Sequence, residues 1–315
     1  MNPPPSSSPL PGALDARAGG VMTLLCLIWS LQQISLKAIA GVASPMLMIA
    51  LRSLVALLLL AALMWRRGEL PRRWTPGAVV GALFALEYLL VSEALRLTQA
   101  SHVVVFLYTA PIFAALGLQW RLPAERLAAL QWAGIGLAFG GIALAFLGGS
   151  TGGTDGRALL GDALALLAGA AWGATTVVIR CSALATAPAT ETLLYQLLGA
   201  FVLLLPAAWL TGQWHFEPTA RVWVHLGFQS LIVSFASFLA WCWLLRRYLA
   251  SQLGVFSFLT PLFGVLLGVW LLGEAPSRPF VAGSGLVLAG IGLVSSHAVL
   301  ARRLLALRHS GQPGG

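Results

Sequence analysis

Apolar segments long enough to cross a lipid bilayer follow one another along almost the entire chain. A membrane-spanning helix needs about 20 mostly apolar residues. Ten windows of this kind are bounded by glycine, proline or charged residues: 20–40, 46–65, 76–95, 101–120, 127–148, 158–180, 191–210, 222–245, 253–272 and 279–300. Their number and length predict an all-α polytopic membrane protein with ten transmembrane helices.

The composition agrees with this fold class and argues against others. Hydrophobic residues make up 58% of the 315 residues and charged residues 9%, whereas soluble domains have roughly 45–50% and about 25%. The ten windows use nearly the whole length, so no room is left for a soluble domain. The net charge of +9 lies in short clusters without interleaved aromatic residues, so no nucleic-acid partner is expected.

The two ends of the chain and the distribution of basic residues predict the orientation. Residues 1–18 are rich in proline and serine and are predicted to be a disordered cytoplasmic tail, with a second cytoplasmic tail at 301–315. If the N-terminus is inside, the connections on that side hold 13 Lys and Arg residues and those on the other side hold 5. Because cytoplasmic loops are enriched in Lys and Arg, this predicts a multi-pass protein of a bacterial-type inner membrane with both termini in the cytoplasm.

The second half of the chain repeats the order of residues in the first half. Shifts of 143 to 150 residues superpose several pairs: Trp29 on Trp172, Lys37 on Arg180, Pro45 on Pro188, Arg96 on Arg246 and Pro111 on Pro261. Each repeat holds five helices, and because five is odd the second repeat must enter the membrane from the opposite side. This predicts two inverted repeats, 19–148 and 158–300, an architecture typical of transporters that open one central site to either side in turn.

Three segments carry a family pattern: 28–60 (IWSLQQISLKAIAGVASPMLMIALRSLVALLLL), 101–117 (SHVVVFLYTAPIFAALG) and 251–274 (SQLGVFSFLTPLFGVLLGVWLLGE). In their duplicated order they resemble the EamA domain of the drug/metabolite transporter superfamily, and the resemblance covers about residues 20–300. Two positions depart from the pattern. Ser30 stands where a glycine commonly follows the tryptophan, and LPAE at 122–125 replaces the LGE that the second copy keeps at 272–274.

The resemblance implies a secondary transporter with a ten-helix fold and a central cavity. Relatives in that superfamily carry amino acids, nucleosides, vitamins or drugs, many of them outward. Export of an amino acid or a related small metabolite is therefore the expected function. A channel-like facilitator and, less favoured, an intramembrane enzyme are the alternatives.

Charged residues inside a bilayer are costly, so each is a candidate for function. Glu87 lies roughly 16 Å into helix 3, near the midplane. It is either a structural carboxylate, protonated or paired, or a group that binds a substrate amine or exchanges protons.

Arg52 lies about 10 Å deep in helix 2, close to the level of Glu93. We expect Arg52 to pair with Glu93 or backbone carbonyls, or to bind a substrate carboxylate. Glu93 is also expected to pair with Arg96, three residues later.

Polar and aromatic residues at helical spacing are predicted to line the cavity with Glu87: Trp29 and Gln33 on helix 1, Tyr108 on helix 4, Trp172 and Thr176 on helix 6, and Ser237 and Trp241 on helix 8. Helix packing is the structural alternative for the tryptophans and the serine. Tyr108 precedes Pro111, whose missing N–H is expected to free backbone carbonyls beside the cavity.

The sequence contains no GxxxxGK[ST], HExxH or GxSxG motif, and its three cysteines stand singly in apolar segments. No catalytic residue, metal ligand or cofactor is therefore expected, and transport has to draw on an ion or substrate gradient. The partners expected are a small-molecule substrate and the lipid bilayer. Glycines on helices 5 and 10, among them Gly136 and Gly140, predict tight helix packing and, more weakly, a homodimer through these two helices.

Overall fold

Helices occupy most of the residues that the structure describes. The computed structural model describes residues 16–121, 128–147, 156–247, 257 and 259–293. These ranges contain no β-strand, and an isolated β-bridge joins Ala43 to Phe216. The predicted all-α class is confirmed.

The helices follow the predicted windows. The first half contains α1 (Ala16–Ala38), α2 (Pro45–Arg66), α3 (Trp74–Leu97), α4 (Ala100–Leu107), α5 (Ala110–Arg121) and α6 (Ala129–Leu147). The second half contains α7 (Gly156–Arg180), a 3₁₀-helix (Ala183–Thr186), α8 (Ala189–Leu210), α9 (Ala220–Gly227), a π-helix (Phe228–Ser237), α10 (Phe238–Arg247), α11 (Leu259–Leu272) and α12 (Arg278–Leu293). Within the described ranges, seven helical segments are long and apolar enough to cross a membrane, and α6, α11 and α12 are shorter apolar helices.

Exposed tryptophans lie near both ends of the bundle. Trp65 and Trp120, at the ends of α2 and α5, are 84% and 92% exposed, and Trp209 and Trp270, at the ends of α8 and α11, are 67% and 78% exposed. Tryptophan is enriched where a membrane meets water. The apolar faces between these residues are therefore suited to contact lipid.

The helices α4 and α5 form one membrane-length helix that is broken at Tyr108 and Thr109. The break precedes Pro111, which cannot donate a backbone hydrogen bond and disfavours helical geometry in the residue before it. Helix α7 packs directly on the break, since a Cβ added to Gly169 would lie 2.8 Å from the carbonyl oxygen of Phe106. The backbone at the break therefore packs against α7, and the freeing of backbone carbonyls beside the cavity stays a prediction.

The π-helix interrupts the eighth predicted window. Its buried residues are Gln229, Ser230, Val233, Ser234 and Ser237, and it packs against α1 and α2. A π-helix has wider turns than an α-helix, is rare, and is frequent at functional sites. Here it presents a polar surface to helices of the first repeat.

At one end of the bundle, the connection after α1 lies against the connection after α8. The Ser44 N–H donates to the carbonyl of His215 at 3.0 Å, and the Glu217 N–H donates to the carbonyl of Val42 at 2.8 Å. These hydrogen bonds join the two repeats through their backbones.

At the other end, the connection after α2 lies against the start of α8. The carboxylate of Glu191, 2% exposed, accepts the backbone N–H groups of Arg72 and Arg73 at 2.7 and 2.8 Å. It also forms an ion pair with the Arg73 guanidinium at 2.8 Å. Connections that correspond in the sequence repeat, after α2 and after α8, thus lie at opposite ends of the bundle.

Helix α3 contacts both α7 and α8, and glycines allow its close approach to α8. A Cβ added to Gly81 would lie 2.6 Å from the carbonyl oxygen of Tyr195, and one added to Gly199 would overlap the backbone of Gly81. Small residues let membrane helices pack backbone to backbone. This contact fixes α3, which carries Glu87, against the second repeat.

Glycines on α6 and α12 pack against each other within the chain. A Cβ added to Gly141 would lie 2.5 Å from the carbonyl oxygen of Gly283, as the tight-packing interpretation predicts. Gly136 and Gly140 have no atom of the described residues within 4 Å of an added Cβ. The homodimer through these helices stays a prediction.

Candidate functional site

Arg52 on α2 belongs to a ring of buried polar contacts between the two repeats. Its Nη1 donates to Oε1 of Gln229 at 2.5 Å, and its guanidinium carbon lies 4.6 Å from the centre of the Tyr88 ring. Gln229 donates to the backbone carbonyl of Gln32 at 2.8 Å, and the Gln32 amide donates to the Tyr88 hydroxyl at 3.0 Å. We call these four residues the arginine cluster. They connect α1, α2, α3 and the π-helix.

The arginine cluster is shielded from solvent. Arg52 is 2% exposed and Gln229 is 0% exposed. The two contacts described for Arg52 are with an amide oxygen and an aromatic face, both neutral. Among the described residues no carboxylate forms a salt bridge with Arg52. A buried guanidinium in this setting is suited to bind an anionic group with its planar fork of donors.

Glu87 precedes Tyr88 on α3 and is 4% exposed. Its Oε2 has no hydrogen-bond partner within the described ranges, and the same holds for Nε of Arg52, Oε1 of Gln33 and Oγ of Ser230. A buried polar atom without a partner costs about 1–3 kcal/mol. These buried atoms therefore include donors and acceptors that a polar ligand could satisfy.

The predicted contact between Arg52 and Glu93 is wrong. Glu93 forms an ion pair with Arg96 at 2.9 Å, as the spacing predicts, and accepts a hydrogen bond from the amide of Gln213. Tyr88, which lies under Arg52, and Glu93 are five residues apart, which turns their side chains about 140° from each other on α3. Equal estimated depth does not bring two side chains together when they lie on different helix faces.

Three residues predicted to line the cavity contact one another beside the arginine cluster. Nε1 of Trp29 donates to the Ser237 hydroxyl at 3.0 Å. The Trp29 and Trp241 rings meet edge to face, with centroids 5.8 Å apart. Trp29 and Gln32 lie three residues apart on α1, so this aromatic group and the arginine cluster share one side of the helix.

The other predicted residues lie on α1, on α7 and at the break between α4 and α5. Tyr108, which is 8% exposed, packs edge to face on Trp172 with centroids 5.2 Å apart. Gln33 is buried, whereas the Thr176 hydroxyl donates to the carbonyl of Trp172 on its own helix at 3.2 Å. The contact of Thr176 is thus local to α7.

Comparison with known proteins identifies the family of the chain. The model of the EamA-like transporter family matches residues 18–147 and 159–296. The chain belongs to this family. An uncharacterized transporter of Archaeoglobus fulgidus is 26% identical over 296 residues, which cover 90% of this chain and 99% of that protein. A solved crystal structure, 22% identical, has a TM-score of 0.64 and matches 92% of this chain and 99% of that chain, which shows a shared fold. The predicted resemblance is confirmed, and the protein is a multi-pass membrane transporter.

The two departures from the EamA pattern can be compared with the structure. The Ser30 hydroxyl lies 2.6 Å from the carbonyl oxygen of Thr260, so it adds a polar contact between α1 and α11. Glu274, in the LGE of the second copy, accepts the backbone N–H groups of Ala100 and Ser101 at 2.5 and 3.0 Å and caps the start of α4. The LPAE segment at 122–125 lies outside the described residues.

Three members of the arginine cluster were not predicted from the sequence: Gln32, Tyr88 and Gln229. Each is a polar or amphipathic residue inside an apolar window, and two of them are next to a residue that was singled out. Gln32 precedes Gln33, and Tyr88 follows Glu87. Their positions beside candidate residues could have identified them from the sequence. Their contacts with one another could not be predicted, because these depend on how four helical segments pack.

Proposed function

We propose that this EamA family member is a secondary transporter that exports a small zwitterionic metabolite, an amino acid or a related compound, across a bacterial-type inner membrane. Ten transmembrane helices in two inverted five-helix repeats would expose the central site to each side in turn. The observation that carries the proposal is the arginine cluster, in which the buried guanidinium of Arg52 contacts the second repeat through Gln229. It adjoins Glu87, which precedes Tyr88 on α3 and whose Oε2 has no hydrogen-bond partner among the described residues.

Contacts at the ends of the bundle support the inverted arrangement. The connection after α2 meets the start of α8, and the connection after α8 meets the connection after α1. Two repeats inserted in the same direction would place corresponding connections at the same end. The three shorter helices α6, α11 and α12 occupy the remaining predicted windows and bring the proposed number of spans to ten.

The basic residues support the proposed orientation. Arg66, Arg67, Arg72 and Arg73 all lie on the connection after α2 or beside it, whereas the connection after α8 has no Lys or Arg before Arg221. The first connection would face the cytoplasm. This orientation places both termini in the cytoplasm as well.

The charges of the site support a zwitterion as the substrate. A substrate carboxylate would bind the Arg52 guanidinium through paired charge-assisted hydrogen bonds. A substrate ammonium group would bind the Glu87 carboxylate and the unpartnered oxygen of Gln33. Because a small zwitterion brings both charges, it would satisfy buried groups that a neutral metabolite leaves without partners.

The contacts of Arg52 provide a way to link binding to movement. In the structure Arg52 binds the π-helix through Gln229, so it holds α2 of the first repeat to the second repeat. A substrate carboxylate would compete for these donors. Binding would therefore weaken one contact between the repeats and create another through the substrate, which changes the relative stability of the two access states.

Counterflow in proteoliposomes tests the proposal. Vesicles loaded with unlabelled amino acids should accumulate radiolabelled amino acid through the wild-type protein. Arg52→Gln should abolish accumulation, because the amide keeps hydrogen-bonding capacity but loses the charge that binds the carboxylate. Glu93→Gln is the matched control on the neighbouring helix, and it should transport normally because Glu93 pairs with Arg96 away from the cluster. Accumulation of neutral nucleosides in place of amino acids, or normal transport by Arg52→Gln, would refute the proposed substrate class.

A further inference from the structure

Arginines and exposed apolar side chains alternate along the connection between α2 and α3. Leu70, on the connection itself, is 72% exposed. The arginines at the end of α2 and before α3 stand beside two exposed tryptophans. We call the set the basic patch, and its members are Trp65, Arg66, Arg67, Leu70, Arg72, Arg73 and Trp74. The patch combines positive charge with apolar surface at one end of a membrane bundle.

The start of α8 holds the basic patch in one conformation. Besides the contacts of Glu191 with the backbone before α3, the Thr190 hydroxyl donates to Oε2 of Glu69 at 2.6 Å. The Trp74 ring packs edge to face on Tyr195, with centroids 5.3 Å apart. The connection is therefore fixed before any partner binds, which lowers the entropic cost of binding.

Two guanidinium groups of the patch have no carboxylate partner. Glu191 pairs with Arg73, and Glu69 lies 3.9 Å from Arg67. Arg66 and Arg72 are exposed, and within the described ranges no carboxylate forms a salt bridge with either. Their planar forks of donors suit a phosphate group, to which guanidinium binds through paired hydrogen bonds.

The second repeat forms the same turn without arginine. After α2, the N–H of Glu69 donates to the carbonyl of Met64 at 2.9 Å. After α8, the N–H of Gln213 donates to the carbonyl of Ala208 at 2.7 Å. Both turns contain a glycine with positive φ, 66° and 69°.

The arginines are therefore not needed to end the helix. The tryptophan recurs as Trp209, but Leu210 and Thr211 stand where the first copy has Arg66 and Arg67. Basic residues on a cytoplasmic connection also set topology, but that role depends on their number and not on a fixed arrangement beside exposed apolar side chains. The arrangement of the patch calls for a further explanation.

We propose that the basic patch binds an anionic phospholipid. Arg66 and Arg72 hold the phosphate, and Leu70 contacts the acyl chains below it. The exposed tryptophans fit the headgroup level, where this residue is enriched in membrane proteins. A phospholipid is the occupant that matches both halves of the patch, because a soluble anion would leave the apolar side chains in water. The inference does not depend on the substrate or the direction of transport.

Native mass spectrometry of the purified protein measures lipid binding without transport. Mixed micelles supply phosphatidylglycerol and phosphatidylcholine with the same acyl chains in equal amounts. Each basic side chain near a membrane surface raises the affinity for anionic lipid about fivefold. Wild-type protein should therefore retain phosphatidylglycerol in preference to phosphatidylcholine by at least about fivefold. Equal retention of the two lipids would overturn the inference, and this measurement needs no variant.

A double variant assigns the preference to the patch. Arg66→Gln with Arg72→Gln should lower it at least about fivefold, while most basic residues on this side remain to set the topology. The matched control removes two exposed arginines elsewhere, Arg221 before α9 ends and Arg278 at the start of α12. Arg221→Gln with Arg278→Gln should keep the preference. An equal loss in the two double variants would show an effect of overall charge and overturn the site.

Inorganic phosphate in excess separates two sources of the same phosphate group. It should leave phosphatidylglycerol bound, because a free anion makes no contact with the apolar side chains. Displacement of the lipid by inorganic phosphate would overturn the lipid as the occupant and indicate a site for a soluble anion.

A nitroxide at position 70 tests the apolar half of the patch. In a cysteine-free background, labelled Leu70→Cys in nanodiscs that contain phosphatidylglycerol should collide more with oxygen, which concentrates in lipid, than with a water-soluble nickel chelate. Glu217→Cys is the control on the connection after α8, where the glutamate side chain is 50% exposed, and it should favour the chelate. Preference for the chelate at position 70 would overturn the contact with acyl chains.

Discussion

Among the neutral residues of the arginine cluster, Gln229 should contribute most to the stability of the protein. Its side chain accepts a hydrogen bond from Arg52 at 2.5 Å and donates one to the carbonyl of Gln32 at 2.8 Å. The first bond involves a charged group and contributes about 1.5–3 kcal/mol. Bonds between neutral groups on different membrane helices average about 0.6 kcal/mol. Gln229→Leu, which removes both bonds, should therefore lower the free energy of unfolding by about 2–4 kcal/mol.

A double-mutant cycle with Arg52 separates the lost hydrogen bond from the buried charge. Once Arg52→Met has removed the guanidinium, the additional cost of Gln229→Leu should fall below about 1 kcal/mol, because no charge is left without a partner. Unfolding of the purified protein by increasing mole fraction of dodecyl sulfate, followed by circular dichroism, measures each free energy. Ile232→Val is the control at an exposed position of the same π-helix and should change stability by less than about 0.5 kcal/mol. Losses from Arg52→Met and Gln229→Leu that add to within about 0.5 kcal/mol would refute the coupling.

Three further predictions follow from the site and the packing. Glu87→Gln should reach the membrane at normal levels and lose transport or its pH dependence, because the amide keeps the shape of the carboxylate and removes the charge; normal counterflow with an unchanged pH response would leave Glu87 with a packing role. In a cysteine-free background, Trp214→Cys should be labelled from outside by an impermeant maleimide and Arg67→Cys should be labelled only after lysis. These two exposed positions report on the connections after α8 and α2, and the reverse pattern would contradict the inverted topology. Gly199→Val should prevent folding, because overpacking a close contact costs about 1–3 kcal/mol or more, whereas Gly140→Val points into open space and should fold; equal yields of the two variants would contradict the packing of α3 on α8.

The sequence predicted the helices because each depends on residues close together in the chain. A window of apolar residues decides that a segment is helical and prefers lipid, and proline, glycine and charge decide where it ends. The ten windows coincide with helices within the described ranges, and the family pattern carried by the tryptophans, prolines and basic residues is confirmed. The repeat was visible because two copies of a similar sequence need no structure to be compared.

The sequence also determined which residues deserved attention, since Glu87 and Arg52 are charged groups inside apolar windows whatever the packing. Only the tertiary structure decided which partners they have. Arg52 was expected beside Glu93 because both were placed at one depth, but depth along a helix says nothing about the direction of a side chain. The π-helix has wider turns than an α-helix and presents Gln229 to Arg52. His102 contacts Asp162, which is 60 residues away in the sequence. Contacts of this kind depend on the rotation and crossing of several helices at once, which no local pattern of residues specifies.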